Sequence, residues 1–194
     1  MTQPPLPSWA TPKPTGPPAP GSALDDQFET FIGPRWETYR RKFAPFFDEP
    51  RFQPTWNWSA ALFSPVWFLY RKLYLPFVFF WLAPGLVLGM LWTGEPPKVA
   101  DVTANPQLVQ DFRLIFLGVQ LSANVLAGGT ANYLLFRRAR AAIVLAEQRA
   151  PDMDTLQLIL TRLGNVNRTG VAVVLVMMGV AAVVMAFSGG AATP

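Results

Sequence analysis

Three long apolar runs separated by polar, charge-bearing segments set the pattern of this chain. Leu73–Trp92 is 20 residues without a charge, long enough for a helix to cross the hydrocarbon of a bilayer. Tyr74 and Trp92 stand at its ends, where half-apolar, half-polar rings favour the headgroup layer. Pro76 and Pro84 predict kinks, and Gly85 with Gly89 forms one small face suited to close approach of another helix. A second run, Leu114–Phe136, is less uniformly apolar. Gln120, Asn124, Gly128 and Asn132 recur every four residues beside Ala123, Ala127 and Ala131, one helical stripe expected to face protein, because an amide against lipid lacks a partner. The third run, Gly170–Phe187, has no polar side chain before Ser188.

Shorter elements flank these runs. Leu24–Pro50 predicts a helix beginning at Gly33-Pro34 and followed by a loop. Trp36, Tyr39, Phe43, Phe46 and Phe47 form its aromatic side, and Arg40, Arg41 and Lys42 its basic part, a combination suited to an anionic membrane surface or a protein partner. Ser59–Tyr70, 12 residues interrupted by Pro65, is too short to cross alone and reads as an interfacial or re-entrant helix. It lies in an aromatic, acid-free stretch whose Trp56, Trp58, Trp67, Tyr70 and Tyr74 suit the interface, with Arg71 and Lys72 able to reach lipid phosphates. The helical pattern of the second run continues past Phe136 to Gln148. Asp152–Leu163 predicts a short amphipathic helix, with Met153, Leu156, Leu160 and Leu163 on one face, Pro151 before it and Gly164 after.

The chain therefore divides into a Pro-rich extended tail (1–22), an amphipathic aromatic segment (23–58), an interfacial helix with two spans (59–136), a helical loop (137–169), and a third span with a short tail (170–194). The fold class is an all-α integral membrane protein with three transmembrane helices. The first 20 residues carry prolines from Pro4 to Pro20 and no apolar core of a signal peptide, so they are expected to sample extended conformers. No internal repeat is evident.

Composition agrees. Hydrophobic residues make up 51% of the 194 and charged residues 14%. The net charge of +4 sits beside apolar runs, so orientation in a membrane explains it better than nucleic-acid binding. Of the 16 Lys and Arg, eight precede the first span, two (Lys98, Arg113) lie at the first connector and six lie in Arg137–Arg168. The N-terminus and the Arg137–Arg168 loop are thus expected in the cytoplasm, and Thr93–Asp111 and the C-terminus outside it, in a bacterial inner membrane.

Neither histidine nor cysteine occurs, which removes the usual ligands for zinc, haem and iron–sulfur clusters, so neither metal nor cofactor is expected. No ionisable group falls inside a span, and the acids (Asp25-Asp26, Asp48-Glu49, Asp152 and Asp154) suit helix starts and solvated loops better than acid–base pairs. The chain is expected not to be an enzyme.

Phe31-Ile32-Gly33, Tyr39, Lys42-Phe43, the Asn57-Trp58-Ser59-Ala60-Ala61 turn, Pro65-Val66-Trp67-Phe68-Leu69-Tyr70-Arg71-Lys72-Leu73-Tyr74, and Ala131-Asn132-Tyr133 with Arg137-Arg138 together carry a family resemblance. Over Phe31–Gly170 the chain resembles the bacterial membrane proteins catalogued as domain of unknown function 2628. The resemblance implies a small helical membrane protein and no activity. The residues themselves favour a non-catalytic accessory or scaffold subunit of a larger membrane complex, such as a photosynthetic reaction centre with its antenna or a respiratory complex. Its expected partners are other integral membrane subunits and anionic lipids. The competing readings are a small transporter or channel lined by the amide stripe, and an envelope protein binding anionic lipid through Arg40, Arg41, Lys42, Arg71 and Lys72.

Overall fold

A computed structural model describes residues 16–49, 51–92, 98 and 104–190, and side chains as far as residue 184. Most of the Pro-rich tail and of the Thr93–Asp111 connector lies outside the described residues. Those described form seven helices: α1 (Ala23–Ile32), α2 (Trp36–Asp48), α3 (Trp58–Tyr70), α4 (Tyr74–Leu91), α5 (Pro106–Arg149), α6 (Met153–Gly164) and α7 (Arg168–Gly190). Among them there is no strand.

The aromatic segment differs from expectation, because it holds two helices rather than one helix and a loop. Ser22 accepts a hydrogen bond from the Asp25 amide at 3.3 Å, and Asp25 and Asp26 occupy the first turn, so α1 starts with a complete cap. Gly33, at φ 82°, ends it in the left-handed region, and its N–H donates to Glu29 O at 2.7 Å. Pro34 consequently lies in the turn, and α2 starts at Trp36.

The aromatic face of α2 is core rather than a docking surface. Phe28, Phe43, Phe46 and Phe136 are fully buried. The Phe136 ring lies 6.0 Å from Phe28, 5.4 Å from Phe43, 5.3 Å from Phe46 and 5.1 Å from Phe47. Trp36 Nε1 donates to Asp25 Oδ1 at 2.9 Å, and Arg40 lies 3.6 Å from the same carboxylate. This satisfies the polar edge of an otherwise apolar cluster. α1, α2, α6 and the C-terminal part of α5 thereby make a head.

α5 has 44 residues and so extends about 66 Å, roughly twice the bilayer hydrocarbon. Its N-terminal two-thirds pairs antiparallel with α4: Leu75 and Pro76 lie beside Tyr133 and Leu134, Leu91 lies beside Ile115, and Trp92 meets Phe112 edge to face at 5.2 Å. α4 keeps helical backbone through Pro84, and Pro76 falls in its first turn, where no helical N–H bond is lost. Of the described elements, α7 meets only α3.

α4, α5 and the stretch Met153–Val184 each provide a helix long and apolar enough to cross a membrane. The expected third span corresponds to α7.

Candidate functional site

Two polar constellations join the head to the apolar helices. The first lies at the tip of an excursion along α5. From the head the chain descends past Tyr133, which Phe46 and Phe52 contact at 5.5 and 5.4 Å. It reaches the level of Gly128, where Asn57 N–H donates to Gly128 O at 2.9 Å. α3 then returns beside α5 to the level of Arg138. A non-helical residue at Ser64, immediately before Pro65, bends it on the way.

Asn132, fully buried, holds the tip. Its Oδ1 accepts from Asn57 Nδ2 at 2.9 Å, and its Nδ2 donates to Thr55 O and Thr55 Oγ1 at 3.1 Å and to Trp56 O at 3.3 Å. Asn57 Oδ1 in turn caps α3 through the Ala60 amide at 3.2 Å. Gly128 is required, because a Cβ there would lie 2.9 Å from Ala61 Cβ and 3.0 Å from the Trp56 ring. The sequence does not mark Asn57 as a site residue. Its signal, an Asn before an apolar run, is a helix-cap signal, and only the fold pairs it with Asn132, 75 residues away.

The remainder of the amide stripe behaves differently. Gln120 donates to Asn124 at 3.1 Å within the same helix, and both are half-buried. Gly85 and Gly89 are exposed, and a Cβ on either would meet nothing within 4 Å. Within this chain they are therefore not a helix contact.

The second constellation is a basic junction where three helices end. Arg138 donates to Lys72 O at 2.6 Å and to Leu163 O at 3.1 Å, and Lys72 Nζ donates to Arg162 O at 2.9 Å. The cations thus meet carbonyls at the C-termini of α3 and α6, where the helix dipole favours positive charge. Lys72 sits at φ 56°, and Leu73 N–H to Phe68 O at 2.8 Å with Lys72 N–H to Leu69 O at 3.0 Å completes a Schellman-type stop for α3. Burial first, and Arg138 second, hold the Lys72 ammonium below the usual lysine range. α1 and α6 meet so closely that a Cβ at Gly164 would lie 2.0 Å from Phe31 O.

Arg71 and Trp67 were expected at the outer interface. The structure places both inside, at 9% and 7% exposure. Arg71 lies over the Tyr39 ring at 5.2 Å and the Tyr70 ring at 5.9 Å, and its terminal nitrogens reach Ile32 O and Tyr39 Oη, both at 3.4 Å. Tertiary packing of α1 and α2 over the end of α3 covers them, which the local aromatic and basic composition does not reveal. Arg40 is likewise engaged, with Asp25, Glu37 and Pro18 O. Arg41, Trp56, Trp58 (68%) and Tyr74 remain exposed, Tyr70 and Lys72 are half-exposed, and Trp92 packs on Phe112. Lys42 is half-buried, and that burial lowers its pKa.

Among the described residues no group of three or more acids gathers as a metal site. A family model described as "Protein of unknown function (DUF2628)" matches residues 29–140. These residues run from α1 through the amide tip and the Arg71-Lys72 turn to the start of the basic part of α5. No curated protein and no solved structure matches the chain.

Proposed function

The chain belongs to the family of the protein of unknown function DUF2628, whose model spans more than half of it, and from that premise we propose that it is a multi-pass membrane protein serving as a non-catalytic accessory or scaffold subunit. One observation carries this reading: α4 and α5 pair, but α7 packs on neither of them. No described side chain of α7, up to residue 184, is buried, and the Gly85–Gly89 face of α4 stands open. Open apolar faces are compatible with lipid, but a small-residue face is what a closely packed helix from another subunit uses. The compact head supplies the rigid base from which such faces are presented.

The polar groups support the same reading over a transporter. Gln120 and Asn124 bond to each other, and Asn132 is consumed by Thr55, Trp56 and Asn57, so the stripe offers few amides to a solute. The two basic segments, before the first span and after the second, meet in the head. This favours a cytoplasmic head and a bacterial cytoplasmic membrane.

The test is to purify the full chain from its native membranes in mild detergent, alongside the double variant Gly85→Leu/Gly89→Leu. Both side chains enter open space, so the variant's thermal unfolding should match or slightly exceed wild type. A stoichiometric membrane subunit should accompany wild type and be lost from the variant. Identical migration of both proteins as unaccompanied monomers would remove the subunit reading.

A further inference from the structure

The structure assigns a second role to the head: we infer that the cleft lined by Arg35, Arg71 and Arg168 binds the phosphate of an anionic phospholipid headgroup. This cleft, about 420 Å³, lies between the α1–α2 turn, the end of α3 and the α6–α7 loop. Its volume is in the range of roughly 300–1,000 Å³ typical of small-molecule sites.

Charge is the first argument. Three of the residues lining it are arginines and none is an acid. Arg35 and Arg168 are exposed, and among the described residues neither side chain forms an ion pair or hydrogen bond. Arg71 is nine-tenths buried, yet it too faces no carboxylate. Its surroundings are neutral, namely Ile32 O and Tyr39 Oη at 3.4 Å and the Tyr39 and Tyr70 rings, and its buried Nε has no hydrogen-bond partner. A guanidinium buried without a counter-charge is costly, and an anion in the adjoining cleft would offset that cost. The carbonyl ends of α1, α3 and α6 also border the cleft, and two of these carbonyls are already engaged. Ile32 O accepts from Arg71, and Tyr70 O accepts from Asn167 N–H at 2.9 Å. Arginine is suited to the task because its planar fork matches phosphate oxygens in pairs.

Position is the second argument, and it rests on the membrane reading above. Arg168 is the first residue of α7, and Arg71 stands three residues before α4. The cleft therefore opens where two spans leave the head, at the depth of lipid phosphates. Neither the exposed Arg41 nor the half-buried Lys42 lines the cleft.

The experiment measures thermal unfolding of the full chain in neutral detergent with added phosphatidylglycerol, phosphatidylcholine, or glycerol 3-phosphate. Phosphatidylglycerol should raise the midpoint of wild type, and phosphatidylcholine should not. In Arg35→Gln/Arg168→Gln, whose exposed side chains leave the core untouched, the concentration needed should rise roughly tenfold or more. Arg41→Gln, outside the cleft, should respond as wild type does. Equal responses to the two lipids, or a phosphatidylglycerol response unchanged in the double variant, would overturn the site. Stabilisation by glycerol 3-phosphate as strong as by the lipid would overturn the lipid assignment in favour of a soluble phosphate. Alkaline extraction of native membranes runs in parallel: release of the chain would remove the membrane reading while the Arg35- and Arg168-dependence still judged the cleft.

Discussion

At the scale of single residues, side chains of the same chemical type carry very unequal weight. Asn132 and Asn124 occupy one stripe of α5, yet Asn132 satisfies three acceptors and one donor on a segment far away in sequence, whereas Asn124 accepts from a neighbour one turn away. Asn132→Leu strands the buried Asn57 amide and removes part-buried bonds to Thr55 and Trp56, and leaving a buried polar group unpaired costs about 1–3 kcal/mol. We expect it to destabilise the protein by about 3 kcal/mol, measured by denaturation in detergent, and Asn124→Leu to shift stability by less than about 0.5 kcal/mol. Comparable losses for the two variants would mean that the Thr55–Asn57 tip is not held by Asn132. The residue types were legible in the sequence, but their partners were not, because periodicity places a side chain on a face without saying what covers that face.

At the scale of elements, helix ends do most of the organising. α3 stops with a lysine in the left-handed region, which costs a non-glycine residue about 1–2 kcal/mol. The turn is held because Lys72 Nζ and Lys72 O both find partners, on α6 and α5. α6 starts at Asp152, whose Oδ1 accepts from the Thr155 amide at 2.7 Å, and the backbone and side chain of Thr155 hold this carboxyl below its ordinary 3.8. A depressed carboxyl pKa adds stability above the unfolded value, and that stability is lost as pH falls through the folded value. Relative to Asp152→Asn, which keeps a capping oxygen without titrating, wild type should therefore lose stability as pH drops below about 3.8. Paired unfolding curves from pH 6 downward check this, and parallel curves would show that the cap does not titrate. The start of α6 at Asp152 was readable from sequence. Ser22 and the acidic first turn announce α1, but Gly33-Pro34 has the local pattern of a helix start, and only the structure shows Gly33 to be a stop.

At the scale of the whole molecule, the arrangement is a polar-ended head carrying a paired α4–α5 hairpin and an α7 that meets neither of those helices. In the proposed orientation the head and the far end of the α4–α5 hairpin lie on opposite sides of a membrane. The chain contains no cysteine, so single thiols report location cleanly. Glu49→Cys, in the head, should be labelled by an impermeant maleimide only after cells are permeabilised, and Gln107→Cys, at the start of α5, should be labelled in intact cells. Both positions are exposed. Labelling of Glu49→Cys in intact cells would reverse the orientation, and equal labelling of both without permeabilisation would deny that a membrane separates them.

What this sequence determined by itself was the helical class, the three apolar runs and the segregation of basic residues, because length, hydropathy and charge act locally and additively along a chain. Only the tertiary structure decided that the α2 aromatics and Trp67 are core, that Arg71 is a buried cation facing no carboxylate, that Asn57 meets Asn132, and that Gly85 and Gly89 face open space. Each of these depends on which distant surface covers a residue. Burial and pairing arise from the packing of elements far apart in sequence, and composition near the residue carries no record of that packing.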